Sequence, residues 1–524
     1  MADITQRQIK RREMILKGNL WKTIIFIIAP LAIYQLFNSV YSLIDAAICA
    51  QISTSAQANV VAVNQIKSAI SAFGAGLAAG GAVLVSRYYG AGRVSDARHA
   101  SSNMLFLSLA LSGLLCLLFI PLAYPLLLLC QVPSASDGNV QLYFILQMIE
   151  LIFVSLNSVF IGLEKAKGNS RIIMLLNLLV LVIKISLTCL FVFPMDLKNI
   201  IFVELATIIA QGTLTVIGMF FMFRKNNILR LSLKMILPKK KYLFDILRLS
   251  IPIFLGKFVM AMGKVVVNGM CGAYWNNYQD PEILGSLIVG TLGVSNNMCG
   301  LITSPTNSFE EGESTIVSQN LGNKNITRAL KAFIYTLISV TIVSMTGYIL
   351  MRFVFINQFV ELFSSPDKDA EIYKSMVKDI FVWDSLSIPT LGITAAVLGL
   401  LYGFGQTKLS TILNLSRIGS RIIFLSIVHA VAPDLSPTLC AGLSMGISNT
   451  IILVVAVLFL IGFLIYVKKK GYNGMHIGDP EPGVSALIMD DFEVINDNKE
   501  VLNDFKVEEI DENDNVDNES TKDS

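Results

Sequence analysis

The sequence predicts an all-α integral membrane protein, with twelve transmembrane helices in two pseudo-symmetric six-helix lobes. The chain of 524 residues is 54% hydrophobic and only 15% charged, more apolar surface than a soluble protein of this length could bury. Its apolar residues form a series of segments long enough to cross a bilayer. An internal repeat divides those segments into two equal sets.

The apolar segments are twelve in number, and the second and eighth are long enough to extend past the bilayer. They are predicted at 21–50, 58–88, 103–129, 141–163, 172–193, 200–223, 244–273, 284–321, 332–356, 378–403, 409–431 and 439–467. The first would span about 45 Å as a helix, more than the ~30 Å hydrocarbon core. It must therefore tilt or bend, and Pro30 is the expected bend.

Basic residues mark one side of the membrane. Those in the connections fall mainly in one alternate set, which includes Lys10–Arg12, Lys17, Arg87, Arg93, Arg98, Lys165, Lys167, Arg171, Arg224–Lys241, Lys324, Arg328, Lys331, Lys408 and Lys468–Lys470. The opposite connections hold little beyond Lys198, Lys368, Lys374 and Lys378. The positive-inside rule then predicts that both termini lie in the cytoplasm. The expected location is the plasma (cell inner) membrane, as a multi-pass protein.

These signals give predicted domain boundaries. They are a cytoplasmic N-terminal arm at 1–20, an N-lobe at 21–223, a basic cytoplasmic linker at 224–243, a C-lobe at 244–467 and a cytoplasmic acidic tail at 468–524. From Asp479 onward, 16 acidic residues face three lysines, so this segment is net −13 and the rest of the chain net +16. The tail has the composition of a disordered segment, either a solvated appendage or a regulatory, partner-binding one.

The expected partners follow from the same charges. Because the basic residues lie between apolar spans, nucleic-acid binding is excluded. The lipid bilayer and a small-molecule substrate are the expected partners, and the chain is expected to be monomeric. The three histidines are scattered and form no metal set, and no nucleophile–base set or nucleotide motif is present, so no enzyme activity is expected.

The internal repeat is the most informative feature of the chain. Residues of the segment 80–100, which runs past the end of the second span, recur 232 positions later: Gly80, Val85, Ser86, Gly90, Ala97 and Ala100 match Gly312, Val317, Ser318, Gly322, Ala329 and Ala332. Gly162, Gly168 and Leu176–Leu178 recur 237 positions later, and Pro30 recurs as Pro252. Six spans per half give both halves the same orientation, which predicts a parallel repeat with a cleft between two lobes. Two lobes that rock about a central site are what alternating access requires.

Several of these segments together resemble the multidrug and toxic compound extrusion (MATE) family. They are NSVYSLID at 38–45, LVSRYYGAG with its repeat IVSQNLGN, and the span endings IGLEKAKGNSR and LYGFGQTK. The resemblance covers about residues 17–470. It implies a secondary active antiporter in which H⁺ or Na⁺ entry drives export of small amphipathic or cationic compounds, with no cofactor besides the coupling ion. It also implies that the first-helix acid, here Asp45, takes part in coupling.

Two departures from the family pattern alter the implied cation site. In the family the fifth span often carries Asn and, four residues later, Asp; here those positions hold Lys184 and Thr188. The acid often found in the seventh span corresponds to Met260. The resemblance therefore leaves the identity of the coupling ion open.

The first span carries one set of candidate site residues. Asn38, Tyr41 and Asp45 share a helix face, which should line a polar interior because a carboxylate facing lipid is costly. Asp45 is either a proton or cation acceptor or an interfacial helix-end anchor. Lys184 in the fifth span must pair, release its proton or reach water. Asp45 is its expected partner, as a switch or as a strut.

The eighth span carries the second set, Glu310, Glu311 and Glu313. Glu310 and Glu313 share a helix face, whereas Glu311 is expected to point elsewhere. The pair is interpreted as a proton carrier or a cationic-substrate site, the alternative being static pairing with Lys257 or Lys264 of the seventh span. In the hypothesis for transport, Asp45 and this pair take up protons from outside, the lobes move and the substrate is released.

Two further acids are candidates for the interior. Asp384, near Pro389 in the tenth span, could face the same cavity or end a helix. Glu150, in the middle of the fourth span, could pair with Lys67.

Two rival functions remain open. A lipid-linked saccharide flippase would share the architecture but would need a strongly cationic central cavity. A non-transporting membrane receptor or enzyme on this scaffold is disfavoured by the lack of catalytic groups and by the extent of the repeat.

Overall fold

The computed structural model describes residues 2–52, 54–129, 132, 135–195, 197, 199–232, 237–275, 278–280, 283–284, 287–363, 370–431 and 435–470. Within its helices, the side chains of 41–52, 54–58 and 61–62 are among those outside this description. The predicted acidic tail from Asp479 lies outside the described residues as well.

The described part of the chain is almost entirely helical, as predicted. The helices are α1 (Ala2–Leu16), α2 (Leu20–Ile52), α3 (Thr54–Gly90), α4 (Val94–Phe119), α5 (Ala123–Leu129), α6 (Gly138–Ala166), α7 (Ser170–Val192), α8 (Ile200–Phe223), α9 (Lys240–Trp275), α10 (Ile288–Gly322), α11 (Ile326–Ile349), α12 (Ile356–Phe363), α13 (Ala370–Asp384), α14 (Ser387–Gly403), α15 (Thr407–Val431) and α16 (Pro437–Lys470). A π-helical segment, Leu350–Val354, extends α11, and the short strands β1 (Gln279–Asp280) and β2 (Ile283–Leu284) pair antiparallel.

Eleven segments of the described chain are long and apolar enough to cross a membrane. α10 is not among them, although it is 35 residues long, because it carries several polar and charged residues, Glu310, Glu311 and Glu313 among them. It packs against α2, α3, α11 and α14, so its polar face is covered by protein rather than lipid. With α10, the fold has the twelve membrane helices that the sequence predicts.

Prolines explain two corrections to the predicted spans. The third, predicted at 103–129, is instead α4, which begins at Val94, followed by the separate α5. Ile120 is still helical in conformation and donates to the carbonyl of Cys116, but Pro121 has no N–H to continue the hydrogen-bond series, so α4 ends there. The tenth, predicted at 378–403, is α13 and α14, with a break at Ser385–Leu386. Pro389 falls in the first turn of α14, where the missing N–H has no intrahelical acceptor to lose.

The two lobes are built from equivalent helices. The first contains α2, α3, α4, α6, α7 and α8, and the second contains α9, α10, α11, α13–α14, α15 and α16. Neighbours repeat between them: α2 packs on α7 as α9 packs on α15, and α3 packs on α6 as α10 packs on α14. Between lobes, α3 packs on α9 and α10 packs on α2. The pseudo-symmetry predicted from the repeat is confirmed, while the predicted domain boundaries stay predictions.

The repeat is also preserved in backbone conformation at four turns. Gly168 and its equivalent Gly405 have positive φ values of 71° and 79°, and Gly92 and its equivalent Lys324 have 76° and 58°. In each turn, the residue after the left-handed one donates its N–H to the carbonyl of the residue five positions before it in the chain, at 2.8 or 2.9 Å. This 6→1 bond closes a helix C-terminus as in a Schellman motif. Lys324 adopts a left-handed conformation that its glycine equivalent adopts without a Cβ penalty.

The ends of α3 and α10 cross at the pseudo-twofold axis between the lobes. A Cβ at Gly90 would collide with the backbone of Gln319, and a Cβ at Gly322 would collide with the backbone of Arg87. Gln319 is the repeat equivalent of Arg87, so the two close approaches are the same contact made twice. We call this end of the molecule, which also carries α1, the basic end.

Two symmetry-related hydrogen bonds reinforce the crossing. Arg87 donates through Nη2 to the carbonyl of Gly403 at 2.6 Å, and Gln319 donates through Nε2 to the carbonyl of Ala166 at 2.6 Å. Gly403 and Ala166 are equivalent positions in the 237-residue repeat. Each lobe therefore binds the end of a helix in the other lobe, and the lobes are closed together here.

The predicted N-terminal arm contains a helix, α1, that bridges both lobes. Arg12 donates through Nε to the carbonyl of Tyr89 at 3.0 Å and through Nη2 to that of Gly90 at 2.9 Å. From the second lobe, Arg328 donates through Nε to the carbonyl of Ile15 at 3.1 Å. Ile15 is fully buried. α1 thus holds the crossing ends of α3 and α10 from one side.

The crossing predicts opposite effects for two glycine substitutions in the same helix. Gly322→Ala should lower the free energy of unfolding by about 1–3 kcal/mol, because its methyl group meets backbone that cannot rotate away. Gly300→Ala should raise it by about 0.5–1 kcal/mol, because nothing lies within 4 Å of the added Cβ. Thermal unfolding of the purified protein in detergent measures both. A Gly322→Ala variant as stable as Gly300→Ala would contradict the crossing.

Candidate functional site

The surface between the lobes is closed from the basic end to the level of an aromatic contact. Phe73 of α3 and Phe254 of α9 have ring centroids 4.3 Å apart. Gly80 of α3 lies against the backbone of Ser250 in α9. Beside this surface, Lys165 of α6 and Glu311 of α10 form an ion pair with Nζ and Oε2 2.8 Å apart. The candidate site begins where this closed surface meets the carboxyl groups of α10.

Glu311 points elsewhere than Glu313: it pairs with Lys165 of the first lobe, whereas Glu313 packs against Gly399 of α14. Lys257 of α9 is close enough to interact electrostatically with both Glu310 and Glu311, so the alternative of pairing applies to Lys257. Lys264 lies elsewhere in the second lobe.

Glu313 is the most deeply buried carboxyl group of the described chain. It is 0% exposed, and neither carboxyl oxygen has a hydrogen-bond partner among the described residues. It packs against Gly399 of α14, where an added Cβ would lie 2.9 Å from Oε2. It interacts electrostatically with Glu310, with which it shares a helix face. An ionised carboxylate in such surroundings costs several kcal/mol, so this group is suited to hold a proton.

Tyrosines border the α10 carboxyls. Tyr34 of α2 lies near Glu311, and Tyr402 of α14 lies near Glu310. Tyr402 donates its hydroxyl to Ser410 at 2.8 Å, which fixes the ring. Aromatic faces and carboxylates together can hold a cationic or amphipathic molecule.

The first lobe contains a second buried ionic cluster. Lys67 of α3 forms an ion pair with Glu150 of α6, which confirms the pairing considered from the sequence. Its Nζ also lies 3.8 Å from Oε1 of Glu204 on α8. Both carboxyl groups are almost fully buried, and they lie close enough to interact with each other. Two carboxyl groups in such contact can share one proton.

Lys184 of α7 belongs to this cluster, because it interacts electrostatically with Glu150 and Glu204. The sequence pointed to Asp45 as its partner. The backbone of Tyr41 and Asp45 continues α2, but their side chains lie outside the described residues, as does any pairing with Lys184. Asn38, on the same helix, is exposed.

The second lobe contains a third cluster, which holds Asp384 and Lys264. Asp384 ends α13 and is buried, and its Oδ2 accepts a hydrogen bond from Ser295 of α10 at 2.8 Å. It faces Arg417 and Arg421 of α15 and Lys264 of α9 rather than Glu310 and Glu313. Of the two positions considered for Asp384, the structure gives the helix end.

Four charged residues of these clusters were not predicted from the sequence as site residues. Glu204, Arg417 and Arg421 were not singled out, and Glu311 was assigned to another face. Arg417 and Arg421 did carry a signal, since two arginines four residues apart lie inside one apolar span. Glu204 carried the same kind of signal, a single acid within an apolar span.

Comparison with known proteins identifies the family. The MatE family model matches residues 30–190 and 252–427, two segments that begin at the equivalent prolines Pro30 and Pro252. The chain belongs to the MatE family. The resemblance noted in the sequence is confirmed, and MATE proteins are transporters.

Multidrug export proteins are among the similar relatives. MepA of Staphylococcus haemolyticus (strain JCSC1435) is 21% identical over 407 residues, which cover 76% of this chain and 85% of the relative. MepA of Staphylococcus aureus (strain NCTC 8325 / PS 47) is 21% identical over 354 residues, 67% of this chain and 74% of the relative.

Solved MATE structures share the fold. A MOP superfamily transporter from Pyrococcus furiosus Vc1 (DSM3638), whose binding pocket of reverse polarity suggests a different function, aligns with a TM-score of 0.79 at 18% identity, over 87% of this chain and 98% of that one. A multidrug resistance MATE transporter in an outward-facing conformation aligns with a TM-score of 0.78 at 17% identity, over 87% and 98%. The two-lobed MATE fold of this chain is thereby established.

The ionic cluster of the first MATE lobe predicts a compensating pair of substitutions. Lys67→Met should lower the free energy of unfolding by about 3–5 kcal/mol, because it leaves the buried Glu150 without its cation. Adding Glu150→Gln should restore most of the loss, because the orphaned charge is removed with it. Thermal unfolding in detergent measures both, with Glu150→Gln alone as the reference. A double variant less stable than Lys67→Met would show that Lys67 does not stabilise this carboxylate.

Proposed function

We propose that the protein is a secondary active efflux antiporter that exports small amphipathic molecules in exchange for H⁺ by alternating access. The observation that carries the choice of ion is Glu313, a fully buried carboxyl group without a hydrogen-bond partner among the described residues. A sodium site would instead require several oxygen ligands around the ion. A lone carboxyl group needs only a proton to become stable in such a place.

The closed interlobe surface supports the direction of the proposed cycle. With the basic end assigned to the cytoplasm by the positive-inside rule, a molecule closed at that end faces outward. In this state the α10 carboxyls take up protons, as the buried Glu313 requires. When the lobes separate at the basic end, water reaches α10, the proton leaves to the cytoplasm, and a new substrate enters.

Asp45 and the first-lobe cluster are assigned a supporting role in coupling. Asp45 and Tyr41 continue the helix that carries Tyr34, which lies near Glu311. The contact between Glu150 and Glu204 allows that pair to exchange one proton as the first lobe changes shape. In this proposal, the protein needs no cofactor and carries out no enzymatic reaction. It acts as a monomer in the cell membrane with both termini in the cytoplasm.

The choice of ion predicts the response to imposed gradients. Inside-out vesicles containing the full chain should accumulate a fluorescent amphipathic dye when the lumen is made acidic, since H⁺ then leaves as dye enters. An inward-high sodium gradient at constant pH should give no accumulation above that of vesicles without the protein. If sodium alone drove dye accumulation, Na⁺ would replace H⁺ as the coupling ion of the proposal. If neither gradient drove it, the proposal of an antiporter would be wrong.

Glu313 predicts the effect of removing the proton site. Glu313→Gln should lower the initial rate of proton-driven dye uptake about tenfold or more, because the amide cannot carry the coupling proton. Asp45→Asn should also lower it, with unchanged abundance in the membrane. The matched control is Glu371→Gln in α13, whose carboxyl side chain is 90% exposed, and it should keep the full rate. Full proton-driven uptake by Glu313→Gln would exclude this residue as the coupling site.

A further inference from the structure

The charges of the second lobe are strongly unbalanced. Arg417 and Arg421 of α15 and Lys264 of α9 interact electrostatically with one carboxylate, Asp384. This set carries a net charge of +2 within helices that cross the membrane. Guanidinium groups stay protonated in proteins, so the two arginines cannot relieve the imbalance by losing a proton.

The carboxylate of the cluster binds to groups other than the three cations. Asp384 accepts a hydrogen bond from Ser295 at 2.8 Å and contacts Cys299. Among the residues that the structure describes, no ion pair joins Asp384 to Lys264, Arg417 or Arg421. Lys264 has no hydrogen bond within that part of the chain either, and the charges of both arginines repel it.

The two arginines are held in place from α16. Arg417 donates through Nε to Asn449 Oδ1 at 2.7 Å, and Arg421 donates through Nε to Ser448 Oγ at 3.0 Å. Because they are four residues apart, both lie on one face of α15, the helix that packs against α9. Because each arginine is anchored through Nε, its terminal Nη groups are left for a ligand. Arg417 uses one of them for a 4.0 Å contact with the sulfur of Met260. Those groups are the ones that bind oxyanions in a fork.

Exposure changes across the cluster in a way that suits entry of a ligand. Lys264 is exposed, Arg417 is half-buried, and Arg421 is only 3% exposed. An anion could approach at Lys264 and lie against the arginines. Buried cations in excess of their counter-charge are costly, and a bound anion would reduce that cost.

We infer that this cluster, Lys264 with Arg417 and Arg421, binds the oxyanion group of an organic carboxylate or phosphate. The inference rests on the proposed function in that it names the substrate class of the exporter: amphipathic molecules that carry an anionic group. Lys257, seven residues before Lys264, lies near Glu310 and Glu311, about 10 Å away along the helix. The acidic and basic sites can therefore hold opposite ends of a zwitterion.

Binding of a matched ligand pair to the purified full chain tests the inference without any gradient. In nanodiscs of neutral phosphatidylcholine, 2-naphthoate should bind at least about tenfold more tightly than 2-naphthamide, a difference of ~1.4 kcal/mol. The two ligands share one apolar body, so the difference reports the charge. Equal affinities in the wild-type protein would overturn the inference.

Three variants locate the binding. Lys264→Gln should weaken 2-naphthoate binding about tenfold and leave 2-naphthamide unchanged, whereas Lys264→Arg should retain the preference. Lys264 has no described partner to lose, so this variant remains informative even where Arg417→Gln does not fold. The control is Lys408→Gln, which removes an exposed charge from the same helix, α15, and should change neither affinity. An unchanged preference in Lys264→Gln and in a folded Arg417→Gln would place the anion elsewhere and overturn the inference.

Two further arms separate the possible outcomes. Replacing phosphatidylcholine by phosphatidylglycerol should leave the naphthoate affinity unchanged if the oxyanion is a soluble substrate. Competition would identify a lipid headgroup as the occupant and overturn the substrate class. Charge-selective binding without gradient-driven dye transport would refute the exporter and retain the anion site. Gradient-driven transport without charge-selective binding would refute the anion site and retain the exporter.

Discussion

The cost of placing ionisable groups away from water governs how this helical bundle is arranged. Its backbone polar groups are satisfied within the helices, but the charges on α3, α6, α8, α9, α10 and α15 need other solutions. The first lobe solves the problem by pairing, with Lys67 between Glu150 and Glu204. The second lobe holds one carboxyl group, Glu313, in surroundings where ionisation would cost several kcal/mol, which favours the protonated form. Each solution depends on the helices that cover it, so packing and protonation are coupled.

Closure of the lobes at the basic end rests on a close approach of backbone to backbone. The ends of α3 and α10 approach as closely as glycine allows at Gly90 and Gly322, and the hydrogen bonds of Arg87 and Gln319 reach equivalent carbonyls. A duplicated sequence generates this interface by symmetry, since each lobe supplies both halves of it. The two lobes share this geometry but differ in their charges. One sequence repeat therefore produces a symmetric frame around an asymmetric interior.

Much of the fold could be predicted from the sequence, because span length and repeated residues report bilayer thickness and symmetry directly. The equivalent glycines at 168 and 405 are one case, since their shared left-handed turns depend on local backbone alone. The sites were less predictable. Spacing along α10 separated Glu311 from Glu310 and Glu313, but it could not show that Lys165 of the other lobe lies next to Glu311. Asp384 could not be placed with the arginines, because their proximity arises from packing of helices distant in sequence.

The docking of α1 also has a kinetic consequence. Its residues accept and donate hydrogen bonds to both lobes at once, through Arg12 to α3 and through Ile15 to Arg328. A molecule that opens and closes at this end must release one side of that helix and recapture it on every turnover. The rate at which this fifteen-residue helix dissociates from one lobe would then set an upper limit on the rate of the proposed transport cycle. A bulky protein fused before α1 would slow the rebinding of this helix and with it the proposed cycle.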